Sequence, residues 1–240
     1  MMKKFVATLC ALALTISSAY GQSVPGISFP AITPVTTAAS FSLVYITSFQ
    51  CGADPCTSTT VNFGSEDTNR DILVTCHCDD GCTGITSVTI AGTTASDDIT
   101  ATTSGHVVTI RRAAKPTGTT NQTVTCDIAG TSGDDTAVGV WALYAAFQSP
   151  GTTDDEASAT GASSATTSAV TIPTGGAAVF ACTDDNEGGY TWTNATGRYD
   201  IDGGTVTGAT GADTSSAGTP TVTCDAGNGT TLVGASYDDN

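Results

Sequence analysis

The pentapeptide TVTCD occurs twice in this 240-residue chain, at 123–127 and at 221–225, each time at the same place in a longer pattern. In the first stretch TTVNFGSEDTNRDILVTC ends at Cys76, ITSVTIAGT follows, and TVTCDIAGTSGDDTAVGVWALY closes with Cys126 near its start. In the second, SAVTIPTGGAAVFAC ends at Cys182, YTWTNAT follows, and TVTCDAGNGTTLVGASY brings in Cys224. An alternating strand, a turn, an apolar strand ending in cysteine, a variable middle and a TVTCD strand thus recur about 100 residues apart. That is the mark of a duplicated supersecondary unit. The repeat predicts Cys76 joined to Cys126 and Cys182 to Cys224, each bridge linking two central strands of its own unit.

Within each unit the hydrophobic period is two. Alternation runs through 40–48 (SFSLVYITS), 86–90 (TSVTI), 107–111 (VVTIR), 123–126 (TVTC) and 169–172 (AVTI), all rich in the β-favouring Thr, Val and Ile. Turn signals such as DDG, TSGDD, DNEGG and IDGG separate these runs. Beyond the N-terminal segment no capped i, i+3, i+4 stripe appears, so the fold class expected is all-β. Its form is two tandem, mutually packed β-sandwich units of jelly-roll or Ig-like type with inter-strand disulfides. The expected organisation is a signal peptide at 1–21, a Pro-containing arm at 22–39, and a first unit at 40–147. A linker or long loop follows at 148–167, then a second unit at 168–240.

Residues 1–21 place Lys3 and Lys4 before a short apolar run and then small residues, which is the order of a secretory signal. The run is too short to span a bilayer, and no later stretch reaches that length. Export suits the cysteines. With Cys10 removed, eight of the nine remain, an even set in an oxidising compartment. Cys51 with Cys56 and Cys78 with Cys82 are then local bridges. The rival use of Cys76, His77, Cys78 and Cys82 is zinc, but a second CxxC is missing. Net charge is −16, and without Lys3 and Lys4 five basic residues face 23 acids, 5 − 23 = −18. Such a field repels nucleic acid and anionic lipid.

Catalytic motifs are missing: the sequence has no GxSxG, P-loop, GxGxxG or HExxH, and only two histidines, His77 and His106. No enzyme is expected. Paired carboxylates, Asp97 with Asp98 among them, read as solvated turn residues, as does His106 at the head of a strand. No cofactor is required, with calcium the candidate at Asp184, Asp185, Asn186 and Glu187 and at Asp200 and Asp202, because hard oxygen donors clustered on loops suit that ion. Trp141 reads as core. Tyr190, Trp192 and Tyr199 form a candidate platform for stacking a sugar ring.

The succession TTVNFGSEDTNRDILVTC, ITSVTIAGTTAS, VTIRRAAKPTGTTNQTVTC, AVGVWALY, SAVTIPTGGAAVFA, YTWTNA and TTLVGASY resembles a β-rich structural domain of tailed-phage virion proteins, found in fibre, tail or capsid-associated components. The resemblance covers about 57–238 and implies a non-enzymatic role, with no catalytic residues to carry over. The export signal and the cysteine load depart from that pattern and point to an extracellular, cell-surface or virion setting. Two functions follow. One is a structural subunit whose partners are copies of itself or other structural subunits; the other is a secreted carbohydrate-binding or adhesion module, calcium-assisted, whose partners are cell-surface glycans. The arm at 22–39 belongs to the first. Its Ile27, Phe29, Ile32 and Val35 need burial, while Pro25, Pro30 and Pro34 bar a central strand or helix. An extended arm laid along a neighbouring subunit, or along the β edge of its own domain, resolves the conflict, and the version expected is addition to a neighbour's sheet edge or groove.

Closing loops of 50 and 42 residues contributes about 4 kcal/mol per bridge on a chain-entropy basis. Reductant is therefore expected to lower the melting temperature by roughly 10 °C or more, whereas EDTA leaves it nearly unchanged. Calorimetry with each additive, alongside non-reducing peptide mapping, measures both.

Overall fold

The computed structural model describes residues 41–78, 81–103, 105–115, 117–130, 136–144, 155–167, 170–184, 190–202, 208–225 and 229–238. All lie within one compact unit, 38–240, and form strands without a helix among them. The first half contributes β1 (Ser42–Cys51), β2 (Cys56–Val61), β3 (Arg70–Cys78), β4 (Cys82–Ile90), β5 (Thr93–Thr94), β6 (Ser96–Thr103), β7 (His106–Ala114), β8 (Gln122–Gly130) and β9 (Thr136–Tyr144). The second contributes β10 (Asp155–Gly161), β11 (Ser164–Thr166), β12 (Ala177–Asp184), β13 (Thr191–Thr193), β14 (Thr196–Asp202), β15 (Gly208–Thr214), β16 (Thr223–Asp225) and β17 (Thr230–Tyr237).

These strands make four antiparallel sheets. A first inner sheet runs β1-β9-β3-β7-β6 and a first outer sheet β2-β8-β4-β5; a second inner sheet runs β10-β17-β12-β15-β14 and a second outer sheet β11-β16-β13. Exchanging β1, β9, β3, β7 and β6 for β10, β17, β12, β15 and β14 turns one inner order into the other, so the duplication seen in sequence is also one of topology. Across the outer faces it leaves matching threonine rows, Thr57, Thr125, Thr89 and Thr94 on one and Thr166, Thr223 and Thr193 on the other.

The layers stack as outer, inner, inner, outer. Ile72, Val74 and Cys76 of β3 pack with Val88, Val124 and Cys126 between the first two sheets. Their neighbour Leu73 points the other way, joining Ile110, Trp141, Val179 and Val233 between the inner sheets. Phe180, Cys182, Leu232 and Cys224 fill the gap between the last two. The central inner strands are thus buried on both faces and read as near-continuous apolar runs, as in TAVGVWALY and TTLVGASY.

The eight cysteines among the described residues lie in four disulfides. Cys76–Cys126 and Cys182–Cys224 each bind an inner sheet to its outer sheet, with Cα atoms 6.3 and 6.6 Å apart. Cys51–Cys56 ties β1 to β2, and Cys78–Cys82 ties β3 to β4.

Two organisational expectations are corrected. The stretch read as a linker contains β10 and β11, because alternating small residues in DEASATG suffice for an edge strand that buries only Ala157. The alternation at 169–172 makes no strand in its described part; Ile172 forms an isolated bridge with Gly218.

Tyr199 holds the seam between the inner sheets. Its ring lies over Gly139 of β9 and Gly211 of β15, and a β-carbon at either position would collide with it. Gly211→Ala is therefore expected to destabilise the fold by about 1 to 3 kcal/mol through overpacking, although Gly to Ala within a strand otherwise stabilises. Gly52→Ala, where nothing lies within 4 Å of the added carbon, is the neutral control in thermal denaturation.

Candidate functional site

Two surface features stand out from the residues upward. The first is an edge. Strands β6, β10 and β14 protect their open edges with charge (Asp97; Asp155 and Glu156; Arg198 and Asp200), and β5, β11 and β13 have three residues or fewer. Only β1 and β2, among the described edge strands, are longer than that and carry no charged residue. They stand side by side, stapled by Cys51–Cys56, and enclose a groove of about 420 Å³ lined by Ile46, Phe49, Ser58, Thr60, Val61 and Asn62. Val44 on β1 is the one exposed large hydrophobic side chain among the described residues, at 47%. A bulge near Ile46 is the only guard on this edge.

The second is a cleft of about 310 Å³ between β13 and β14, to which Tyr190, Trp192, Arg198, Asp200 and Thr210 contribute. Of the expected platform, Tyr190 and Trp192 are half-buried there. Tyr199 forms the inner wall and is corrected as a platform: it is 8% exposed, with its hydroxyl 2.7 Å from both Thr75 Oγ1 and His77 Nε2. Trp192 Nε1 donates to Thr210 Oγ1 at 3.1 Å. Arg198, missed by sequence reasoning, donates twice to buried Asp213 at 2.7 Å, and Trp141 Nε1 donates to the same carboxylate at 3.0 Å.

The expected calcium residues do not converge among the described residues, where no three acidic, His or Cys side chains could hold a metal. Asp184 is corrected as a loop ligand: it is buried and accepts from Tyr190 Oη at 2.6 Å. Asp200 is exposed on β14, whose last residue is Asp202, while Asp185, Asn186 and Glu187 lie outside the described residues. The arm residues Ile27, Phe29, Ile32 and Val35 lie outside them too.

Polar residues expected at turns are instead inside. His106 is buried. Asp98 faces Arg112 Nη2 at 3.3 Å and accepts from Tyr237 Oη at 2.8 Å, with Asp71 3.7 Å from Arg112 Nη1. Burial raises the Asp98 carboxyl above its usual range despite Arg112, and pushes the Tyr237 and Tyr199 phenols up. It lowers His77 to about 3. Arg70, also buried, donates to the carbonyls of Phe63, Gly64, Ser65, Lys115, Thr117 and Gly118, so that two surface loops are fixed by one side chain.

The described residues define an all-β, disulfide-bonded chain of β-sandwich units with two adjoining sheet edges, β1 and β2, that carry no charge. No family model matches it, and no curated protein matches it. Among solved structures it is similar to the crystal structure of Cucumber Necrosis Virus, with a TM-score of 0.27 and 10% sequence identity over 92% of this chain and 97% of that chain. No helix among the described residues is long and apolar enough to cross a membrane.

The His77 value sets a pH dependence. Below pH 6.5 the denatured chain binds a proton that the folded chain refuses until about pH 3, so stability falls on acidification through that window. The slope is at most about 1.4 kcal/mol per pH unit. Asp98, whose folded pKa is raised, works the other way: the stability it contributes is present at low pH and is lost as pH rises through its folded value. His77→Gln keeps a partner for Tyr199 and is expected to flatten the decline between pH 6.5 and 4 in denaturant titrations.

Proposed function

We propose that this chain is a non-enzymatic structural subunit of an extracellular or virion assembly, joined to neighbouring copies at the β1–β2 edge. The observation that carries the reading is the contrast between this edge and the other described ones. Elsewhere charge or shortness blocks strand addition, and the net charge of −16 keeps those surfaces apart. At β1 a ten-residue strand presents its backbone groups beside a groove of mixed apolar and hydroxyl lining, with a bulge but no charge along it. The signal at 1–21 and the disulfides support an exported setting.

The occupant we assign is the 22–39 arm of a neighbouring copy. Eighteen residues reach about 60 Å when extended, ample to cross from one copy and lie along β1, which is roughly 33 Å long. The arm's prolines suit an edge position, where alternate N–H groups face away from the ladder. Its Ile27, Phe29, Ile32 and Val35 would lie against Ile46 and Phe49, between the hydroxyls of Ser48, Ser58 and Thr60.

Sedimentation velocity and electron microscopy test this. The full chain is expected to form ordered assemblies, while deletion of 22–39, or Val44→Lys on the exposed edge, leaves a folded, disulfide-bonded monomer. A synthetic 22–39 peptide should compete with assembly. A wild-type protein that stays monomeric throughout, or variants that assemble normally, would remove the proposal. If the deletion unfolds the protein, the arm belongs to its own core.

A further inference from the structure

The cleft beside Trp192 has an internal reference, because the duplication supplies its counterpart. In β13 Trp192 faces Cys224, as in β4 Val88 faces Cys126, so the two residues occupy equivalent positions. Val88 is wholly buried under a nine-residue strand. Trp192 sits on a strand of three residues and is only half-buried. The second outer sheet therefore leaves uncovered a position that the first outer sheet seals, and the largest side chain in the chemical alphabet fills the gap without closing it.

Around the indole the lining is polar and of both signs. Arg198 is held in place by Asp213, yet its side chain remains 39% exposed, and the guanidinium has donors beyond the two that Asp213 takes. Asp200 is exposed on the same strand. Gly197 lies against the indole edge, where a β-carbon would sit 3.2 Å from Trp192 Cδ1. The indole N–H is already bound by Thr210, so the ring is fixed in orientation and offers its apolar surface.

We infer that this cleft binds a single neutral sugar ring or comparable polyol, with its C–H face against Trp192 and its hydroxyls toward Arg198 and Asp200. The chemistry excludes the obvious rivals. An apolar ligand would be left beside two charged side chains, and an anionic one would meet the negative field of the whole chain. A volume of about 310 Å³ suits one ring or two. The site lies on strands distinct from β1 and β2, and the inference stands whether or not the chain assembles.

The test titrates the purified full chain with glucose, galactose, mannose, N-acetylglucosamine and cellobiose, reading Trp fluorescence and saturation-transfer NMR. Trp141 is buried, so a saturable emission change reports Trp192. At least one neutral sugar is expected to bind in the millimolar range. Trp192→Ala should weaken it by about tenfold or more and Trp192→Phe by much less, while glucuronic acid binds at least about tenfold more weakly than glucose. Gly197→Val, whose β-carbon would sit 3.2 Å from Trp192 Cδ1 and 3.8 Å from Nε1 and so crowds the indole and the cleft, should abolish binding and keeps the test open if Trp192→Ala fails to fold. No saturation by any of these sugars up to about 50 mM, binding unchanged in folded Trp192→Ala or Gly197→Val, or tighter binding of glucuronic acid, would overturn the inference.

Discussion

The central strands of both inner sheets are covered on both faces, so a polar side chain that points into the seam there has little access to water. Every polar group between them must find its partner inside. The seam answers with a small number of linked contacts: Tyr199 with Thr75 and His77, Asp213 with Trp141 and Arg198, and Arg112 with Asp71, Asp98 and Tyr237. Each of these joins residues from opposite inner sheets or fixes a residue that does. Removing one member leaves a buried group unsatisfied, which costs more than the bond itself contributes. The low proton affinity of His77 and the raised phenols of Tyr199 and Tyr237 are the electrostatic face of the same enclosure.

Duplication explains the architecture, and the differences between the copies explain where its surface can act. Where the first copy has a nine-residue β4, the second has the three-residue β13, and a cleft opens beside Trp192. Where the second copy has the acidic, small-residue β10, the first has β1, with Leu43, Tyr45, Ile46 and Phe49 on an open edge. One departure uncovers a position that the other copy seals, and the other removes the charge from an edge that its counterpart protects.

The all-β class, the two-fold repeat and most strands of the first unit were legible in sequence, because period-two patterning and TVTCD report local geometry directly. What escaped was whatever depended on the facing sheet. Asp98 read as a solvated acid since nothing nearby in sequence reveals Arg112 or Tyr237 as partners, and Asp184 read as a calcium ligand although its partner Tyr190 is only six residues on. Tyr199 read as exposed because the space that receives it is made by two glycines, Gly139 and Gly211, that are 60 and 12 residues away in the chain. Strand β15, GATGADT, lacks every residue type that favours a strand except Thr, and exists because a neighbour's ring demands small residues there. At the cleft, Tyr190 and Trp192 could be picked out as aromatics beside turns, whereas Arg198, Gly197 and Thr210 carry no signature apart from their place in space.

The covalent bonds of this molecule are unevenly laid out. Both long bridges run from an inner sheet to its own outer sheet, one in each half, and the two short ones stay within the first half. None crosses the seam. As a mechanical object the protein is two riveted plates held face to face by packing and hydrogen bonds alone. A force that slides one half over the other meets no covalent stop until the connecting chain is taut, and each half keeps its rivets while the seam gives way.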